Sequence, residues 1–124
     1  MKMTNPVGWF DIYVSDIDRA KKFYQTVFNT QLTDLPAEWG KQSAFPADFE
    51  GLNISGALVE KADRVAGGNN TVVYFVSGDC VTEEARVEQA GGKVLRPKMS
   101  IGEFGFVSIL QDTEGNTIGL HSRQ

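Results

Sequence analysis

The feature that most restricts the fold of this chain is a pattern that occurs twice, displaced by the interval from Asp16 to Asp79. In residues 8–16, Phe10, Ile12 and Val14 alternate with Trp9, Asp11 and Tyr13, the period of two that marks a strand. Asp16 follows as a helix N-cap, and Ile17, Ala20, Phe23, Tyr24, Val27 and Phe28 recur at spacings of three and four, which predicts an amphipathic helix ending near Asn29. The order returns from Thr71. Val72 to Val76 is β-branched and aromatic, Asp79 is the second N-cap, and residues 80–90 carry Val81, Ala85, Val87 and Ala90 before the stop signal Gly91-Gly92. The same displacement carries Asn53-Ile54-Ser55-Gly56-Ala57 onto Asn116-Thr117-Ile118-Gly119-Leu120, so each half closes with a similar strand.

Two further strands fit between helix and closing strand in each half, at about 30–35 and 40–45 in the first, and 93–96 and 104–111 in the second. Pro36 and Pro46 interrupt the first pair. The polar stretch 61–70, with Gly67-Gly68-Asn69-Asn70, reads as the linker between the halves. The expectation is one α+β domain of two βαβββ modules, about 7–60 and 71–122. A lone four-stranded half would leave one sheet face bare, so the two curved mixed sheets are expected to form a shared trough with the helices outside.

At 124 residues, roughly two thirds of the chain's surface is buried on folding, enough for a core without covalent staples. A single cysteine cannot form an internal disulfide or supply a Cys-rich zinc site, and a reducing, cytoplasmic setting is expected. No apolar run approaches the ~18 residues of a membrane span, and the opening Met1-Lys2-Met3-Thr4 has no apolar leader core, so no membrane partner is expected. Twelve Lys and Arg against sixteen Asp and Glu give a net charge of −4, with the cations scattered, which argues against nucleic acid.

Val14-Ser15-Asp16 with Arg19-Ala20 and Phe23-Tyr24, then Gly91-Gly92-Lys93-Val94, then Asp112-Thr113-Glu114-Gly115-Asn116-Thr117-Ile118-Gly119-Leu120 form a combination that resembles the vicinal oxygen chelate superfamily. That group includes glyoxalase I, bleomycin-resistance proteins, fosfomycin-resistance enzymes and extradiol dioxygenases. The likeness covers nearly the whole chain and is nearest to a glyoxalase-related branch whose members begin Gly-Trp-Phe and end Gly-Leu-His. It implies a homodimer, and a divalent metal held by up to four His, Glu or Gln side chains, one from the first and last strand of each half, acting as a Lewis acid on neighbouring substrate oxygens. The positions corresponding to those ligands are Trp9, Val72, Gly119 and, to within a residue or two, Gly56. None of these side chains offers a lone pair to a cation, since the indole N–H only donates. The resemblance therefore implies the fold without the usual centre. No metal and no cofactor is expected, and a trough relieved of charged ligands suits a small organic molecule.

Strand periodicity puts Trp9, Asp11 and Tyr13 on the face of the corresponding ligand position, with Val72, Tyr74 and Val76, and with Thr117, Gly119 and His121. Trp9, Tyr13, Val72, Tyr74 and Gly119 are the expected ligand-binding residues; in the plainer reading the same aromatics fill the trough. His121 and Asp11 are the expected catalytic pair if the chain is a lyase, isomerase or oxygenase, because a carboxylate beside an imidazole favours its charged form. A third reading is a partner-binding module with no sizeable cavity. Cys80 at a helix start reads as a small buried residue, and Asp112–Asn116 as a tight turn. The segment from Leu35 to Leu52, with Trp39, Phe45 and Phe49, is expected either to cover the trough mouth or to form a dimer contact.

Overall fold

A computed structural model describes residues 5–47 and 54–124. The chain runs β1 (Trp9–Val14), α1 (Ile17–Phe28), β2 (Thr33–Asp34), β3 (Lys41–Ala44), β4 (Ser55–Glu60), then β5 (Val73–Val76), α2 (Cys80–Val87), β6 (Lys93–Ser100), β7 (Phe106–Gln111) and β8 (Thr117–Ser122). Single 3₁₀ turns stand at Ala37–Trp39 and Gly102–Phe104. The strands form two mixed four-stranded sheets, ordered β1-β4-β3-β2 and β5-β8-β7-β6. In each, the strand preceding the helix pairs parallel with the closing strand, and the other pairings are antiparallel. These are two βαβββ modules, the α+β arrangement expected from the repeat.

Local chemistry accounts for the elements. Asp16 caps α1 by accepting from the Arg19 amide at 3.1 Å, and Asn29 closes it in the left-handed region at φ 50°. Ala20, Phe23, Tyr24 and Val27 are buried along the anticipated stripe. The second helix departs from expectation. It ends at Val87, and Val81 is half exposed while Cys80 is buried. The cause is acidic: Glu84 accepts from the Ser108 hydroxyl and from the Lys98 amide at 2.8 Å, and Glu83 accepts from the Ser77 hydroxyl. Those carboxylates turn the helix so that Val81 faces solvent. Its exit is tight, because a Cβ at Gly92 would meet the Gln111 carbonyl oxygen at 2.4 Å and the Phe23 ring at 2.6 Å.

The weakest strand expectation, 30–35, shrinks to the two residues of β2. That around 93–96 lengthens to eight residues with register shifts at Arg96 and Met99. Its irregularity, Pro97 and three cationic side chains blunt an exposed sheet edge. Of the closing strand expected at 53–57, Asn53 lies outside the described residues.

The modules share one core, in which Phe10, Tyr24, Phe28, Phe45 and Phe75 pack ring on ring across both sheets. They are also joined by the β7–β8 turn, which is far more than the connector anticipated. Asp112 organises it by accepting from the Glu114 and Asn116 amides, both at 2.8 Å, and takes the buried Tyr24 hydroxyl at 2.6 Å. Glu114 reaches the start of α1. It accepts from the Ser15 and Asp16 amides, both at 2.9 Å, and takes a forked pair from Arg19 at 2.7 and 3.0 Å. Its side chain has no exposed surface.

Burial alone would raise the Glu114 pKa, but Arg19 and the amides outweigh it and hold the carboxyl at about 2, down from an ordinary 4.5. Because the folded chain disfavours that proton, the contribution is whole above pH 4.5 and is lost as pH falls toward 2. At about 1.4 kcal/mol per unit, it amounts to about 3 kcal/mol. Urea unfolding followed from pH 6 to 2.5 should show this fall, and Glu114→Gln should be less stable at pH 7 with a flatter acid limb.

Candidate ligand-binding site

Because, among the described residues, β1 pairs only with β4 and β5 only with β8, the two sheets meet along edges that no ladder there joins. Two adjoining recesses lie along this seam. The larger, about 800 Å³, is walled almost wholly by apolar side chains, including Val7, Trp9, Ile54, Val72 and Tyr74, with Phe45 and Pro46 at one side. The smaller, about 530 Å³, is lined by Asp11, Tyr13, Asn116 and Thr117 on one side and by Val65 and Gly67–Thr71 on the other. Phe10, Thr71 and Val73 border both.

Of the residues singled out from sequence, Trp9, Val72 and Tyr74 thus line one recess, and Asp11 and Tyr13 the next. Gly119 and His121 line neither. Gly119 stands opposite Tyr74 in the β5–β8 ladder, and the Tyr74 ring lies across it, so that a Cβ there would meet the ring at 2.4 Å. Glycine at this point lets the aromatic ring lie flat against the sheet. The His121 Nε2 lies 2.7 Å from the Phe104 carbonyl oxygen. The Trp9 indole N–H donates to Asp11 Oδ1 at 3.1 Å, and among the described residues no hydrogen bond or ion pair links Asp11 to His121.

Trp9 and Tyr74, both in the wall of the larger recess, are 43% and 48% exposed. Arg64 lies over the Tyr13 ring, 5.7 Å from its centre, and within 3.8 Å of the Asp63 carboxylate. The contribution of the 61–70 stretch was invisible in the sequence, where it read as a linker. It is tied down because Asn116 Oδ1 accepts from the Gly67 amide at 2.7 Å and Asn69 Oδ1 from the Thr117 amide at 2.8 Å. Of the 35–52 segment, Phe45 and Pro46 border the larger recess, Trp39 sits exposed on its 3₁₀ turn, and Phe49 lies outside the described residues.

The ladders refine one position. Asp11 pairs with Ala57 just as Tyr74 pairs with Gly119, so the counterpart of Gly119 is Ala57, one residue beyond Gly56. A slip of one residue reverses the face, and Gly56 lies against Phe10 on the helix side.

A profile of the "Glyoxalase/Bleomycin resistance protein/Dioxygenase superfamily" matches residues 7–120. The chain belongs to this superfamily. It is 28% identical over 117 residues to the CFP32 protein of Mycobacterium tuberculosis and Mycobacterium bovis, covering 91% of this chain but only 44% of that longer one. The crystal structure of TnmS3, an antibiotic binding protein from Streptomyces sp. CB03234, superposes with a TM-score of 0.73 at 27% identity, covering 99% of this chain and 100% of that one. A glyoxalase/bleomycin resistance protein from Albidiferax ferrireducens T118 shares the fold, with a TM-score of 0.75 at 17% identity over 96% of this chain and 100% of the other.

A divalent metal implied by this superfamily does not fit the donor set at the corresponding positions. Trp9, Ala57, Val72 and Gly119 present an indole N–H, a methyl, an isopropyl and no side chain. Among the described residues, no three His, Cys, Asp or Glu side chains gather closely enough to hold an ion. Neither is any helix among them long and apolar enough to cross a membrane. The contact of Tyr74 with Gly119 is testable by a double-mutant cycle. Gly119→Ala should cost about 1–3 kcal/mol in chemical denaturation, and most of that cost should vanish in a Tyr74→Ala background.

Proposed function

We propose that this protein binds a small organic molecule with an aromatic or aliphatic body in a trough formed along the seam, without a metal centre. The observation that carries the reading is the 800 Å³ apolar recess walled by the half-exposed rings of Trp9 and Tyr74. A recess of that size and character falls in the range that encloses drug-sized ligands. Two of the positions that correspond to metal ligands in the superfamily, Trp9 and Val72, are part of its wall, so apolar surface stands where charge would otherwise be. The likeness to an antibiotic binding protein over the full chain supports binding rather than turnover. Tyr13 and Asp11 supply the polar end, and Gly119 acts indirectly by seating Tyr74.

An acid–base centre on His121 and Asp11 finds less support, because His121 lines neither recess and is engaged with Phe104. The superfamily resemblance also leads us to read the protein as a homodimer, and the exposed apolar side chain of Phe104 suits contact with a second copy. A cytoplasmic location accords with a single unpaired cysteine.

The test is a thermal-shift screen of polycyclic aromatic natural products, run with excess EDTA and again with Mn²⁺, Ni²⁺ or Zn²⁺. Saturable stabilisation in EDTA is expected for at least one scaffold. Trp9→Ala and Tyr74→Ala should each weaken its binding by about tenfold or more by fluorescence titration, in a Trp39→Phe background that isolates Trp9 for the tyrosine variant. A rise in melting temperature that needs a stoichiometric divalent ion would count decisively against the proposal.

A further inference from the structure

If the seam is the binding site, as proposed above, the smaller recess constrains the chemistry of a ligand's polar end. Two of its asparagines, Asn69 and Asn116, are occupied within the fold, while Asn70 only accepts the Thr71 hydroxyl at 3.3 Å. Asn116 Nδ2 donates to the Tyr13 carbonyl and to Asp112, and Asn69 Nδ2 donates to the Thr71 and Thr117 carbonyls. Their side-chain oxygens take the Gly67 and Thr117 amides. Asp11 differs. One carboxylate oxygen accepts the Trp9 indole N–H, and the other has no partner among the described residues.

Other carboxylates that meet cations in the fold do so elsewhere: Asp34 with Lys21, Glu60 with Lys41, Asp79 with Lys98 and Glu114 with Arg19. Arg64 is held over the Tyr13 ring and beside Asp63. An unpaired carboxylate on open surface is ordinary. Asp11 is itself exposed, but it stands in the wall of a recess with one oxygen held by the Trp9 indole N–H, which leaves the other to receive a charged donor. A free carboxylate oxygen in a recess whose lining also includes Tyr13 suits an ammonium group, which gains a charge-assisted hydrogen bond there.

We infer that the ligand carries a protonated amine next to its apolar body, and that Asp11 is its counter-ion while the body occupies the larger recess. Phe10, Thr71 and Val73 line both recesses, so the amine is expected close to the ring system. Trp9 serves both parts, lining the larger recess and holding the carboxylate through its N–H.

Three probes of equal ring size separate the possibilities: 1-naphthylmethylamine, 1-naphthylmethanol and 1-naphthylacetate, titrated into the full chain at low salt by ligand-observed NMR and calorimetry. The ammonium should bind about tenfold more tightly than the alcohol, and the carboxylate most weakly. Asp11→Asn should bring the amine-to-alcohol ratio to about one, whereas Asp11→Glu should retain a preference for the amine, and added salt should shrink it. Equal binding of amine and alcohol to the wild type, or a preference that survives Asp11→Asn, overturns the charge inference. If such binding still depends on Trp9, the seam remains the binding site. Failure of all three probes to bind removes the site and this inference together.

Discussion

A buried carboxylate that joins the two repeats governs how everything else is placed. Glu114, at the tip of the last β-turn, receives two backbone amides and a forked guanidinium from the other end of the chain. A charge taken out of water is costly unless it is fully hydrogen-bonded, and removing any partner would leave that cost uncompensated. The contact therefore fixes one relative placement of the modules and disfavours others. Asp112 and Asn116 extend the same constraint, one to the Tyr24 hydroxyl within the core and the other to the linker amide of Gly67.

That placement makes the seam. The aromatic cluster of Phe10, Phe45 and Phe75 holds the sheets together on the helix side. Beside this cluster the edge strands β1 and β5 are left unpaired with one another, and the space along them becomes the two recesses, with the cluster's rings in the wall of the larger. The smaller recess is closed by a stretch that belongs to neither sheet, so both recesses are products of packing between modules. A superfamily fold can host many chemistries, and here the positions that elsewhere carry metal ligands contribute an indole, small aliphatic groups and a glycine under a tyrosine ring.

Much of this was legible in the residues. The period-two alternation of β1, the α1 stripe with Asp16 and Asn29 at its ends, and the sixty-odd-residue repetition led to two βαβββ modules. Each of these signals is local, with a few residues whose spacing encodes which face is buried. The second helix was less readable because Glu83 and Glu84 face inward and are satisfied by Ser77, Ser108 and Lys98, partners that lie 6 to 24 residues away and leave no mark on the helix's own apolar pattern. The one-residue displacement between Gly56 and Ala57 was hidden for a similar reason. Strand register is set by pairing, and the closing strands resemble each other at one offset in sequence while they pair at another in space.

The elements, their doubling, and the chemical character of the side chains at the former ligand positions were all written in the order of the residues, because propensity, capping and periodicity act between near neighbours. The placing of Trp9, Asp11 and Tyr13 on one face was written there too. It took the folded arrangement to make Asp11 meet Trp9 rather than His121, to lay Tyr74 over Gly119, and to turn the linker into a wall of the smaller recess through Asn69 and Asn116. The last two outcomes depend on contacts between residues 45 to 49 positions apart. The geometry of such contacts is fixed by how the modules pack, which no short window of the chain encodes.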